Sequence, residues 1–154
     1  MANMYRQWSD VIPWSEAHPI AEQKAWVHRV LRPVDDASDE DYGNELEGRG
    51  IVLSDVSDLT ALMYWPAFEC SFVEDGLWVR SEEAGDLEHL AAFVRSYLAT
   101  FDPSRLICIQ WADWCDRLRA GEFGGGVVVI AANVVKWAST RRVADDIVAG
   151  RYLA

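Results

Sequence analysis

The feature that most constrains the fold is an apolar stripe between Gly85 and Pro103. Apolar residues recur there at i, i+3, i+4 and i+7, the spacing of one face of an α-helix. They are Leu87, Leu90, Ala91, Val94, Tyr97, Leu98 and Phe101. Asp86 is placed to cap the first turn, and Asp102-Pro103 ends the helix. A helix with one apolar stripe must bury it against another layer, which the rest of the chain has to supply.

Short β-prone segments flank this helix on both sides and indicate what that layer is. They are residues 68–73, 77–81, 106–111 and 127–131. Asp75-Gly76 separates the first two and is typical of a hairpin turn. Ser139 or Thr140 is placed to cap a last short helix, and a further helix is expected near 19–31. The sequence therefore predicts an α+β domain in the order ββαββα. It would have a four-stranded, mainly antiparallel sheet with helices on one face and an extra N-terminal helix.

The whole chain, residues 1–154, is expected to form one domain. Hydrophobic residues make up 51% of it, which excludes a disordered protein and allows a well-packed core. The predicted core spans residues 68–149. Residues 35–58 are expected to form an acidic connection between that core and the N-terminal helix.

Acidic residues are concentrated in the middle of the chain. The net charge is −11, and residues 35–104 hold seventeen acidic against three basic side chains. Seven carboxylates open this segment without a basic residue among them: Asp35, Asp36, Asp39, Glu40, Asp41, Glu45 and Glu47. Like charges in one block repel each other, which favours a solvated, mobile linker; a surface that faces a partner is the alternative. The negative charge argues against direct binding to nucleic acid or an anionic membrane and favours a basic partner.

Three cysteines without a framework spacing, Cys70, Cys108 and Cys115, are expected to be free thiols in a reducing compartment. The sequence has no Cys-x-x-Cys or His-x-x-x-His pair, so no metal site is predicted, and nothing implies a cofactor. The longest apolar run, residues 127–132, is too short to span a bilayer, and the first residues lack the apolar core of a signal peptide. The expected location is the cytoplasm.

Residues 112–126 are expected to form an irregular loop between two strands, and the segment 111–126 holds the densest set of chemically active side chains. Its glycines, residues 124–126, lead into a strand and are not followed by Lys-Ser or Lys-Thr, so they do not indicate a phosphate cradle. They are expected where the backbone approaches another element closely. The alternative is a pocket lined by Asp113, Cys115, Arg117, Arg119 and Glu122. The two arginines would favour a thiolate at Cys115, but no histidine is placed by a motif to act as its base. No catalytic residue is assigned, and the sequence leans away from an enzyme.

A set of closely spaced motifs extends from Gly76 to Thr140. It comprises Gly76-Leu77-Trp78, Trp111-Ala112, Cys115, Arg117, Arg119, Glu122-Phe123-Gly124-Gly125-Gly126, Trp137 and Thr140. This pattern resembles a family of small acidic proteins of phages, plasmids and other mobile elements. The chain departs from it at Leu118, where the family tends to have Pro, and at Asn133, where it tends to have Asp. The resemblance implies a mobile-element setting, in which small acidic proteins often inhibit host defence through surfaces that imitate DNA.

Two functional hypotheses follow, from different classes. The first is a non-enzymatic inhibitor of a nucleic-acid-handling host defence complex, of anti-CRISPR or anti-restriction type, whose carboxylates occupy a basic cleft. Its contacts would be Asp35, Asp36, Asp39, Glu40, Asp41, Glu45, Glu47, Glu82 and Glu83. The partner would be a basic protein or ribonucleoprotein of the host cytoplasm, and a homodimer is left open. The second hypothesis is a small enzyme or ligand-binding protein that uses the 111–126 loop.

Overall fold

The computed structural model describes residues 4–34, 39–117, 120 and 123–151, with the backbone alone at 39–41. Its strands are β1 (Met4–Pro13), β2 (Glu69–Val73), β3 (Gly76–Ser81), β4 (Ile107–Cys115), β5 (Gly124–Ile130) and β6 (Val135–Ser139). Its helices are α1 (Ile20–Leu31), α2 (Asp39–Gly48), a 3₁₀ helix (Leu59–Tyr64), α3 (Leu87–Phe101) and α4 (Thr140–Val148). The strands form one antiparallel sheet in the order β2-β3-β1-β4-β5-β6.

The expected four-stranded ββαββα sheet is wrong, because β1 and β6 bring the sheet to six strands. The strand that the sequence misses entirely, β1, is central. Its residues 4–7 pair with β4, and its residues 8–13 pair with β3. Only Trp8 and Ile12 are buried on this strand, and they are four residues apart. So sparse an apolar alternation does not indicate a strand, although the backbone of β1 joins the two halves of the sheet.

The core lies between α3 and one face of the sheet, called the inner face. The apolar stripe predicted for this helix is fully buried, with Leu90, Val94 and Leu98 at 0% exposure. It packs with inward-facing strand residues, among them Trp8, Ile12, Leu77, Val79, Ile107, Ile109, Val128 and Ile130. Burying a side chain of this size contributes about 1.5–3 kcal/mol. The packing of α3 on the sheet is therefore the main source of stability.

Helix α1 lies where the sequence predicts a helix and packs beside α3. The indole of Trp26 is 5.9 Å from the ring of Phe93 and 5.6 Å from that of Phe101. Gln23 is fully buried between these helices; its amide donates to the carbonyl of Ser15, and its oxygen accepts from the hydroxyl of Tyr97. The polar group is thus satisfied inside an aromatic layer.

The acidic connection of residues 35–58 contains ordered structure, which corrects its interpretation as a mobile linker. Residues 39–48 form α2, and Leu46 of that helix is fully buried. Arg49, itself buried, donates to the carbonyls of Arg32 and Pro33 after the end of α1, and it pairs with Glu45. Arg29 of α1 donates in turn to the carbonyl of Arg49 at 2.9 Å, so these contacts fix the end of α2 to the end of α1. Residues 35–38 lie outside the described part of the chain.

The segment expected as an irregular loop, residues 112–126, is shorter than the sequence indicates. Strand β4 continues to Cys115 and β5 begins at Gly124, with Asp113 paired to Gly124 in the ladder. A Cβ at Gly126 would lie 2.5 Å from the Trp111 ring, so this glycine leaves the space that the indole fills. Polar residues and glycines occupy the end of β4 and the start of β5, so the sequence pattern did not indicate a strand at either place. The pairing between the two strands establishes both ends.

Candidate functional site

The inner face of the sheet extends beyond the first turn of α3 and forms a cleft there, called the Arg6 cleft. It consists of two adjoining cavities of about 740 and 550 Å³, which share Arg6, Ala84 and Gly85. Strand register places Arg6 opposite Asp113 and Trp111 opposite Gly126 on this face. Because the helix begins only at Leu87, these side chains are left uncovered at the end of the sheet.

A salt bridge forms the floor of the Arg6 cleft. Arg6 Nε is 2.6 Å from Asp113 Oδ1, and Nη2 is 3.1 Å from Oδ2. The indole N–H of Trp111 donates to the same carboxylate at 3.3 Å. The hydrogen bond to Asp113 raises the pKa of Arg6, so the guanidinium keeps its charge. A permanently charged guanidinium suits binding of polar groups and does not suit proton transfer.

Two indole rings form the wall of the cleft toward β6. Trp111 and Trp137 meet edge to face, with ring centroids 6.1 Å apart, and the Arg6 guanidinium carbon lies 6.0 Å from the Trp111 ring. Both rings line the smaller cavity. Aromatic faces and a fixed charge in one cleft give a surface able to hold a planar or cationic group.

Carboxylates surround the opposite side of the cleft, on the segment between β3 and α3. We call this group the acidic turn; it comprises Glu83, Asp86 and Glu88, which line the cleft with Asp58, and the adjacent Glu82, which does not line it. Asp86 caps α3 by accepting from the backbone N–H of Glu88 (2.8 Å) and His89 (3.1 Å), as the sequence predicts. The Glu88 carboxylate accepts from the N–H and the hydroxyl of Ser57, each at 2.7 Å. Glu82 and Glu83 are exposed and extend into solvent.

His89 lies beneath the acidic turn and is fully buried. Its Nδ1 accepts from the backbone N–H of Ala67 at 3.3 Å, and its Nε2 lies 3.5 Å from Asp86 Oδ2. Burial lowers the pKa of His89, and the carboxylates of Asp86, Glu88 and Asp58 only partly oppose this effect. The imidazole is therefore neutral at pH 7 and serves packing, not proton transfer from the cleft.

The pocket residues chosen from the sequence are only partly brought together. Asp113 lines the Arg6 cleft, whereas Cys115 is buried and Arg117 is exposed. Arg119 and Glu122 lie outside the described residues. The sequence missed the partner of Asp113, because Arg6 is 107 positions away and lies on the unrecognised strand β1.

The acidic residues chosen as partner contacts lie in two places. Glu82 and Glu83 belong to the acidic turn; Glu45 and Glu47 belong to α2, where Glu45 pairs with the buried Arg49. Asp39, Glu40 and Asp41 are in the first turn of α2, with side chains outside the description, as are Asp35 and Asp36 entirely. The sequence predicted Asp86 as the cap of α3 but did not single out Asp58, which only the fold brings to the first turn of that helix.

Metal binding and membrane insertion find no support in the residues that the structure describes. No group of three or more histidine, cysteine, aspartate or glutamate side chains there is arranged to hold a metal ion. No helix in the same ranges combines the length and apolar character that crossing a bilayer requires. All three cysteines are free: Cys70 is half-buried, Cys108 exposed and Cys115 buried.

Comparison of the chain with protein-family models, with curated proteins and with solved structures gives no match. The function must therefore be inferred from the charge and geometry of the chain itself.

Proposed function

We propose that the protein is a non-enzymatic binding protein whose partner presents a basic surface. The observation that carries this proposal is the pairing of the three basic residues in the acidic segment, residues 35–104. Each is paired within the segment: Arg49 with Glu45, Arg80 with Glu69 (3.1 Å) and Arg95 with Asp55 (2.7 Å). The segment holds seventeen acidic residues, so fourteen of them have no basic residue of the segment left to neutralise them, and of these Asp102 pairs with Arg105 just beyond it at 2.6 Å. A partner with lysine and arginine on its surface would supply the missing charge.

The acidic turn is the part of this surface best prepared for contact. Asp86 and Glu88 are held by hydrogen bonds to backbone and to Ser57, and Glu82 and Glu83 extend beside them. Fixed carboxylates lose little conformational freedom on binding, and charge complementarity accelerates the encounter of two proteins. The turn therefore favours fast, salt-sensitive association.

We extend the proposal to the identity of the partner, a basic protein or ribonucleoprotein that handles nucleic acid. Duplex DNA carries one negative charge per about 1.7 Å of axis, and the proteins that bind it present clefts rich in lysine and arginine. An acidic surface held on a folded domain suits such a cleft. Together with the mobile-element resemblance, this supports an inhibitor of a host defence complex of anti-CRISPR or anti-restriction type, acting in the host cytoplasm.

The test is a pull-down from a bacterial lysate at low and high salt, followed by biolayer interferometry with the captured partner. Glu82→Gln/Glu83→Gln should slow association several-fold and leave dissociation nearly unchanged, because exposed charges act mainly on encounter. The matched control is Glu16→Gln/Glu22→Gln, which removes two exposed carboxylates away from the turn. Both double variants should keep the wild-type free energy of unfolding within about 0.5 kcal/mol.

Two results would count against the proposal: capture that is equally strong at both salt concentrations, or the same association rate for the two double variants.

The Arg6 cleft favours a second candidate, a small-ligand site, because its larger cavity of about 740 Å³ is in the size range of ligand pockets. In that case Arg6→Ala would abolish ligand binding, while neutralising Glu82, which lines neither cavity of the cleft, would not.

A further inference from the structure

The face of the sheet opposite α3, called the outer face, contributes no residue to the hydrophobic core. Strand register assigns to it the side chains of Val11, Trp78, Tyr5, Trp114, Val127 and Val129, among others. None of these side chains is buried, and Trp78 is 36% exposed. Tyr5 stacks on Trp114 at 4.5 Å, and the Arg80 guanidinium lies 3.9 Å above Trp78. The outer face is thus an ordered apolar and aromatic surface.

The charge of the outer face contrasts with that of the rest of the chain. The chain has 25 carboxylate side chains, yet the strand register puts a single one, Glu69, on this face. Arg80 and Lys136 are its basic residues, so the face has a slight positive balance on a protein of net charge −11. A basic partner would not be drawn to it, whereas a like-charged second copy would meet less repulsion here than elsewhere.

We propose that the outer face packs against the outer face of a second copy of this chain, forming a symmetric dimer of two stacked sheets. A two-fold axis parallel to the strands places β2 of one copy over β6 of the other. Glu69 lies on β2 with a side chain 65% exposed although it pairs with Arg80 of the same chain, and Lys136 is exposed on β6 at the opposite edge. The two charges would therefore meet twice, once at each edge. The face is self-complementary in charge as well as apolar at its centre.

The size of the face is appropriate for such a contact. Six strands about 4.8 Å apart, each about 20 Å long, give a planar area of roughly 600 Å² before the relief of the side chains is added. Stable interfaces bury about 800 Å² per partner. Aligned sheets pack about 10 Å apart with interdigitated side chains, and the valines and aromatic rings of the outer face are suited to that packing.

Sedimentation velocity over a range of protein concentrations tests the dimer. The wild-type chain should dimerise, and Lys136→Glu should raise the dimer dissociation constant about tenfold, because it creates two like-charge contacts. Lys136→Gln removes the charge without reversing it and leaves the Glu69–Arg80 pair intact, so it should raise the constant less than Lys136→Glu does. Arg142→Glu makes the same change in net charge at an exposed residue of α4, outside the strands that form the face, and should have little effect.

The exposed thiol of Cys108 gives a second readout, because it lies on the outer face. Its reaction with a thiol-disulfide reagent should slow as the dimer fills with increasing concentration. A chain that stays monomeric at every concentration overturns the proposal. So does a dimer that Lys136→Glu leaves unchanged, or one in which Cys108 reacts at the monomer rate, because the contact would then lie elsewhere. The result does not depend on the basic partner proposed above.

Discussion

Replacing Gly126 by Ala tests the packing that builds the tryptophan wall of the Arg6 cleft. A Cβ at this position would lie 2.4 Å from the carbonyl oxygen of Ala138 and 2.5 Å from Cη2 of Trp111. Optimal carbon–carbon contacts are about 3.5–4.0 Å, so the indole would have to move by about 1 Å. The Ala138 carbonyl belongs to the β6 backbone, so that strand would have to shift too. Overpacking of this kind costs about 1–3 kcal/mol.

Gly124→Ala is the matched control, two residues earlier on the same strand. The nearest atom to a Cβ there is Oγ1 of Thr140 at 3.5 Å, an ordinary contact. Its backbone does not have the positive φ that disfavours an L side chain. A compatible Gly→Ala change stabilises by about 0.4–1 kcal/mol, because the unfolded chain loses conformational freedom. The two variants should therefore differ by about 1.5–4 kcal/mol, with opposite signs relative to wild type.

The assay is urea denaturation of both variants, followed by far-ultraviolet circular dichroism and tryptophan fluorescence. Near-ultraviolet circular dichroism of the native proteins reports on the environment of Trp111. A Gly126→Ala variant with the wild-type midpoint and an unchanged near-ultraviolet spectrum would show that the indole does not lie over this glycine. If Gly124→Ala is equally destabilising, the cause is a general intolerance of side chains at the start of β5.

The remaining predictions concern the core, a buried histidine and the thiols. Leu98→Ala should cost about 2–5 kcal/mol in urea melts, as buried leucines do, whereas Leu106→Ala, at 67% exposure, should stay within about 0.5 kcal/mol. Burial lowers the pKa of His89. Between this lowered pKa and the ordinary value of about 6.5, the imidazole is protonated in the unfolded chain and neutral in the folded chain. The free energy of unfolding should therefore fall as the pH falls through this window. The fall should be smaller in His89→Gln, and melts at several pH values measure it. Because all three thiols are free, dithiothreitol should leave the melting temperature unchanged.

Helix α3 could be predicted from the sequence because its evidence is local. Seven apolar residues at helical spacing and an aspartate cap lie within sixteen positions of one another, and the hairpin between β2 and β3 is equally local. Strand β1 could not, because its inner face carries the charged Arg6 and Asp10 alongside Trp8 and Ile12. Periodicity detects a strand only when one whole face is apolar.

The candidate site was predicted less completely than the fold. Asp113, one of the pocket residues of the alternative hypothesis, lines the Arg6 cleft, but its partner Arg6 is distant in sequence and no pattern links the two. Helix α2 was concealed for another reason. Its composition is that of a solvated linker, and the contacts that hold it, through Leu46 and Arg49, are made with elements elsewhere in the chain. Tertiary contacts outweigh local composition at both places.

The position of β1 has a consequence for the order in which the molecule forms. Each half of this strand pairs with a different part of the chain, the hairpin strand β3 through residues 8–13 and the β4–β6 meander through residues 4–7. Both pairings have high contact order, because about sixty to one hundred and ten positions separate the partners, and such contacts form late and slowly. The hairpin and the meander can each form first, but they stay two separate sheets until β1 inserts between them. The Arg6–Asp113 contact is made in that last step, so a folding intermediate that already has α3 in place would still lack the cleft.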